Sequence, residues 1–365
     1  MTFLKFLVLW AHKRKYDRNY RRISRINHFS LSREEGEAEW RKRWKIGPLP
    51  VSPVYYRVYS RYVGKDRDLV PENVSRDFIE PLLNNPLYIP YYSDKNNFER
   101  FLPEGYLPRT FLRRVRGEFL DAAYRRVEPD GEFLERLAGE SACSSFVLKD
   151  TVDSCSGRGV KVFSREEAFS AGLFTREYLE AYGNEFILQE GLVQHPFFGR
   201  FNPCSVNTMR LSLYRSVATG ESHVTAAVLR IGGAGSRVDN AHAGGRFVGI
   251  NLDGSLCRTT CDQWGKRQDT HNGIDFSREE FHIPEWDRIV SFAESVGDYL
   301  PHMHLIALDI ALTEDGRPKL LEYNLSYYSS WLFQFTTGPC FGPWTDEILQ
   351  YAKEHSGEAL YVKKI

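Results

Sequence analysis

The chain has 365 residues, of which 42% are hydrophobic and 14% aromatic; this excludes a disordered protein and allows two or three packed units. Its 48 basic and 48 acidic residues cancel, yet seven Lys/Arg lie between Lys13 and Arg25 against Asp17 alone, so a basic N-terminal segment precedes an acidic body. No run reaches the ~20 apolar residues a membrane helix needs.

The opening "MTFLKFLVLW" sets its apolar run ahead of the basic cluster, the reverse of a secretory signal, and no small-residue cleavage site follows. Phe3, Leu4, Phe6, Leu7 and Trp10 line one face of a predicted helix. Two uses stay open: packing on its own protein with a solvated basic face, or peripheral attachment to an anionic inner leaflet. Residues 1–61 read as a basic helical N-terminal region, and 62–130 as a mixed stretch rich in turns. Within it, "SDKNNFERFL" predicts a helix capped by Ser93 or Asp94, with Lys95 in the first turn. The helix dipole repels a cation there, so the lysine invites a functional explanation.

"VLKDTVDSCSGRGVKVF" follows, from Val147 to Phe163. Two strands flank a loop with Ser154, Ser156, Gly157 and Gly159, whose backbone N–H groups can turn inward as an anion nest beside Lys149. Ser164 and Glu167 form a capping box for the next helix. A strand in "NEFILQEGLV" ends at Gln189–Glu190. The pattern then turns β-rich in "TMRLSLYRSV", "HVTAAVLRIG", "GGRFVGINL", "HLIALDIAL" and "KLLEYNLS", with helices in "EWDRIVSFAESVGDYL" and "WTDEILQYAKEH". The result is an α+β architecture: a small lobe over 131–204, a larger one over 205–352, a tail at 353–365, and a cleft between the lobes. Six cysteines (143, 155, 204, 257, 261, 340) form no CxxC pair; they read as reduced thiols of a cytoplasmic protein. His302 and His304 lack further ligands and read as structural.

The strongest local signal is "LIALDIALTEDGRPKLLEYNLS", Leu305 to Ser326. Asp315–Gly316 predicts a two-residue type I′ turn, which sets 313 opposite 318 and Asp309 opposite Glu322. Pro318 then falls where the ladder needs no donor. The two carboxylates lie ~5 Å apart at Cβ, and Asn324 shares their face. Opposed acids repel, so the pattern predicts a cation between them, and three hard oxygen donors suit Mg²⁺. Arg210 and Arg230 sit among buried residues and need anionic partners. A Rossmann fingerprint starting at Gly233 would need glycine at 238, where Val238 stands, and Walker and protein-kinase signatures are missing.

Together "SDK", "VLKD…SGRGV", "LQEGLV" and "LDI…LEYN" resemble the ATP-grasp superfamily, and "SVNTMRLSL…VLRIGGAGSRVDNAHAGG" is similar to its sugar-transfer-associated group, the glutamate-ligase-like relatives, over roughly 90–350. The resemblance implies an ATP-grasp fold, with two α+β lobes clasping ATP. It implies that Lys95, Lys149 and the loop Ser154, Ser156, Gly157, Arg158 and Gly159 bind phosphates, and that Gln189 and Glu190 hold adenine. Asp309, Glu322 and Asn324 would hold Mg²⁺. Arg210 and Arg230 would neutralise developing charge, with Asn240 and Gly244–Gly245 positioning phosphate or acyl group. The implied activity is a carboxylate–amine ligase acting through an acyl phosphate in polysaccharide or cell-envelope biosynthesis, on a sugar acid or amino acid. A kinase on the same fold and a non-catalytic nucleotide-binding protein remain alternatives. Nucleic acid is not an expected partner, because the body is acidic and carries no binding motif.

Overall fold

The computed structural model describes residues 3–140, 143–152, 159–237, 239 and 244–359. Strands β1 (Thr110–Val115), β2 (Glu118–Asp121), β3 (Ser145–Asp150), β4 (Lys161–Ser164) and β5 (Phe186–Glu190) form an antiparallel five-stranded sheet, ordered β2-β1-β5-β3-β4. It draws β1 and β2 from ahead of position 131, so the sequence boundary drawn there cuts through this sheet's chain. Their hairpin turns at Arg116 and Gly117, both at positive φ (52° and 84°), which is the backbone of a tight two-residue turn. Arginine in the first turn position hid this hairpin from the sequence.

The next strands are β6 (Met209–Arg215), β7 (Ser222–Ile231), β8 (Arg246–Ile250), β9 (Leu256–Cys261), β10 (Arg267–Gln268), the small pair β11 (Thr270–His271) and β12 (Ile274–Asp275), then β13 (Leu305–Leu312) and β14 (Pro318–Asn324). All but β11 and β12 form a seven-stranded sheet, ordered β10-β9-β8-β7-β6-β13-β14. Strand alternation divides it. Met209, Leu211, Leu229, Ile306 and Leu308 face a core that includes Ile289 and Ala293 of helix Trp286–Asp298. Tyr214, Val228, Leu305 and Ala307 face a core shared with the N-terminal and C-terminal helices.

The N-terminal region is helical over Phe3–Ile26, Glu37–Arg43 and Val54–Val63. It supplies Trp40, Trp44, Tyr55 and Tyr59 to that second core. Both indoles are satisfied, Trp40 Nε1 donating to the Leu69 carbonyl (2.7 Å) and Trp44 Nε1 to that of Arg67 (3.0 Å). Basic on its outer side, the region is thus a structural layer of the large sheet. Past this cover, the same sheet face continues as Arg210, Arg230 and Asp309.

Hairpin β13–β14 does bring Asp309 opposite Glu322, but not through the predicted turn. Near the loop Leu312 pairs with Pro318 and Ile310 with Leu320. The connection is therefore one residue longer: Thr313 N–H bonds the Arg317 carbonyl (3.0 Å) and Gly316 takes φ 73°. A bulge at Leu321 restores the offset before Glu322. Pro318 donates nothing to Leu312, whose carbonyl accepts from His195 N–H instead (2.9 Å). His302 and His304 are structural as expected, bonded to the Tyr92 hydroxyl (2.6 Å) and the Arg215 carbonyl (2.8 Å). Cys204, Cys257, Cys261 and Cys340 are free thiols.

Candidate active site

A cavity of about 740 Å³ opens between the two sheets. Its lining has an apolar set, Val147, Val160, Val162, Leu192 and Val193, and a charged set, Lys95, Lys149, Arg230, Asp309 and Glu322. The sequence motifs converge here from four separate stretches of chain.

Lys95 stands at the start of a short 3₁₀ turn, where the Asp94 side chain accepts from Asn96 N–H (2.9 Å). Its backbone N–H bonds the Thr151 carbonyl (3.1 Å), tying this turn to the end of β3. Its ammonium lies 2.9 Å from Glu322. Lys149, half-buried on β3, donates to the Leu321 carbonyl at 3.4 Å. The bulge that restores the hairpin register therefore also turns a carbonyl onto a lysine of the opposite sheet. Burial pushes the Lys149 ammonium down to about 8, Lys95 adds to the shift, and Glu322 opposes it.

The sequence predicts a divalent ion as the reason two acids face each other. The structure supplies other cations. Arg210 lies directly across from Asp309 on the neighbouring strand β6 and grips both its oxygens, each at 2.7 Å. Arg230 adds a third bond at 3.0 Å and reaches Asp239 at 3.1 Å. Asp239 also accepts from the Thr208 N–H (3.1 Å) and hydroxyl. Burial alone would raise the Asp309 carboxyl, but Arg210 and Arg230 outweigh it and hold it below the usual carboxylate range. Asn324 uses its amide N–H₂ on the Ala307 carbonyl (3.3 Å), which leaves its oxygen as an acceptor.

The remaining expected residues lie as follows. Gln189 spends its amide on Pro108 O (3.3 Å) and Thr110 Oγ1 (3.1 Å), holding β5 to β1. Glu190 accepts from Arg109 N–H (2.8 Å), and both Gln189 and Glu190 line the cavity. Gly159 takes φ 74°, and a Cβ there would stand 2.1 Å from Asp150 Oδ2. Gly244, at φ 85°, and Gly245 lead into β8. Ser154, Ser156, Gly157, Arg158 and Asn240 lie outside the described residues.

Three features escaped the sequence reading. Asp239 is one. The second is a contact across the cavity mouth: Arg237, in the loop after β7, takes both Glu167 oxygens (2.7 and 2.6 Å) and the Val162 carbonyl (3.2 Å). Glu167 still completes its capping box with Ser164; the same carboxylate caps a helix and bridges the lobes. The third is Gly191 in "QEGLV", where a Cβ would meet Ser145 Oγ at 2.0 Å. That close approach is the local signal that a glycine after a strand end can give.

Several solved structures share similarity with the chain. One is the D-cycloserine synthetase DcsG (16% identity, 75% of this chain and 73% of that one, TM-score 0.41). Another is the ATP-grasp ligase PsnB with a variant minimal precursor, Mg and ADP (14%, 74% and 62%, TM-score 0.41). A third is the D-alanine-D-alanine ligase from Coxiella burnetii (11%, 73% and 58%, TM-score 0.38). The chain spans less than two thirds of the length of the latter two. No curated protein matches it in sequence. The family model for sugar-transfer associated ATP-grasp proteins matches residues 77–348, which hold Lys95, Lys149, Asp309, Glu322 and Asn324, and the chain belongs to that family.

Proposed function

We propose that the chain is an ATP-dependent carboxylate–amine ligase that works through an acyl phosphate and releases ADP. The observation that carries this reading is one cavity in which Lys95, Lys149 and Arg230 meet Asp309 and Glu322 beside an apolar slot. Lysines and an arginine answer a polyphosphate, and the valines and Leu192 answer a base. Phosphoryl transfer needs positioning and charge neutralisation more than a general base.

Lys95 and Lys149 hold phosphate oxygens, and arrival of that anion releases Lys95 from Glu322. Asp309, Glu322 and Asn324 offer hard oxygen donors that fit Mg²⁺: Glu322 faces the cavity, and Asp309, whose Oδ2 accepts two arginine bonds and Oδ1 one, keeps an acceptor site on Oδ1. Bound there, the ion supplies neutralisation of phosphate charge. Arg210 does not line the cavity; it positions Asp309, and charge developing on the transferred group falls to Arg230. The substrate carboxylate takes the phosphoryl group, and an amine then displaces phosphate to leave an amide. We assign the acid to sugar acids or amino acids and the pathway to polysaccharide or cell-envelope synthesis on the cytoplasmic side. Peripheral contact of the basic N-terminal helix with the inner membrane surface belongs to the same reading.

The test is an ADP-release screen of uronic acids and amino acids against amines, with product masses. ADP formation that requires both partners and yields the amide mass supports the ligase. A stable phosphorylated product with no amine requirement identifies a kinase and contradicts it.

A further inference from the structure

Helix Phe3–Ile26 buries Leu9, Tyr20, Ile23 and Ser24 against the protein and leaves its opposite side in solvent. Leu4, Leu7, Ala11, Arg14, Arg18 and Arg25 recur at spacings near whole helical turns and are all exposed, so they form one stripe along the helix. The stripe is segregated. Phe3, Leu4, Leu7 and Trp10 crowd the first two turns, with exposures of 78, 55, 42 and 44%. Arginines fill the second half.

Among the described residues no acid lies within ion-pair reach of Arg14, Arg18, Arg21 or Arg25; Asp17 goes to Lys13. Arg14 instead lies over the Trp10 ring at 4.5 Å. Cations three and four residues apart repel on a helix, and four large apolar side chains in water are a patch that monomers rarely leave open. Packing on the body, which the buried side already provides, needs neither. A polyanion such as RNA would satisfy the arginines and leave the apolar end exposed. An apolar protein groove would do the opposite.

We propose that this stripe docks the protein on an anionic lipid bilayer, with the apolar end entering the headgroup boundary and the arginines on lipid phosphates. The inference rests on the peripheral-membrane reading above and gives it its residues. The apolar turns span ~11 Å and Arg14 to Arg25 ~17 Å of helix axis. Both segments therefore meet a flat surface together when the helix lies in its plane.

The full-length protein is sedimented with vesicles of phosphatidylglycerol and phosphatidylcholine, and with phosphatidylcholine alone. Binding is expected only to the anionic vesicles and is weakened by salt. Each of R14Q, R18Q and R25Q costs on the order of fivefold in affinity, and L4S with L7S removes binding as well. Equal binding to neutral vesicles, or full binding by the triple arginine variant, overturns the proposal. So does a lack of vesicle binding together with tight RNA binding or an L7S-sensitive dimer. Mg·ATP affinity, read by calorimetry in the same variants, stays at the parent value. Membrane failure with intact ATP binding thus sinks this inference and the peripheral contact it rests on and leaves the ligase reading standing, whereas absent ATP binding sinks the ligase reading alone.

Discussion

The two sides of the cleft handle charge in opposite ways. On the seven-stranded side Asp309 is buried and held by three bonds from Arg210 and Arg230, with Asp239 completing the set. On the five-stranded side, among the described residues, Lys149 is left with a carbonyl and a depressed pKa, and the rim contact Arg237–Glu167 is open to solvent. One side is locked by mutual neutralisation and keeps its geometry without a ligand. The other stores an unanswered positive charge, which is what an anionic ligand relieves.

That contrast can be broken at four points. The largest effect is expected from Asp309→Ala, which strands two arginines that are mostly buried: unfolding free energy by denaturant titration falls by about 3 kcal/mol, and turnover is lost. A small change would mean the network is not holding the floor. Next is Gly191→Ala just past the end of β5, where a Cβ would overlap Ser145 of the adjacent β3; overpacking of this kind costs about 1–3 kcal/mol, and nucleotide affinity drops with it.

Lys149→Met has the opposite sign on stability. Removing a desolvated ammonium leaves unfolding free energy unchanged or higher, while nucleotide affinity falls. Its titration gives a pH signature. The folded value of about 8 lies below the ordinary 10.5, so the native state sheds this proton first. Stability therefore gains as pH climbs from about 8 toward 10.5, and nucleotide affinity weakens over the same window as the charge is lost. Lys149→Met should flatten that affinity profile. The smallest effect belongs to Arg237→Ala: an exposed pair leaves stability at the parent value, but stopped-flow release of Mg·ATP quickens because the mouth is no longer bridged.

The fold and site were legible in the sequence where the information is local. The hairpin from Leu305 to Ser326, the Asp94 cap, the Ser164–Glu167 box and the period-2 strands depend on neighbours within a few residues. Even the opposed pair 309/322 emerged correctly, although a longer turn and the Leu321 bulge shift the register in opposite senses and cancel. What stayed hidden was the order of strands. Only the antiparallel pairing of β6 with β13, almost a hundred residues apart, puts Arg210 across from Asp309. Glu167 was read as a cap because that role is local, whereas its contact with Arg237 spans 70 residues. The burial of Trp40 and Trp44 under a basic exterior was masked by their cationic neighbours in "EWRKRWK".

The measurement that bears most directly on this account is calorimetric binding of ATP with and without Mg²⁺, in the parent and in Glu322→Gln. Glu322 is the acid on the cavity floor that, among the described residues, pairs with Lys95, so its carboxylate should carry much of the metal's contribution. The parent is predicted to bind ATP more tightly with Mg²⁺, and the variant to lose that increment while keeping metal-free binding. An equal Mg²⁺ increment in both proteins would contradict a metal site between positions 309 and 322.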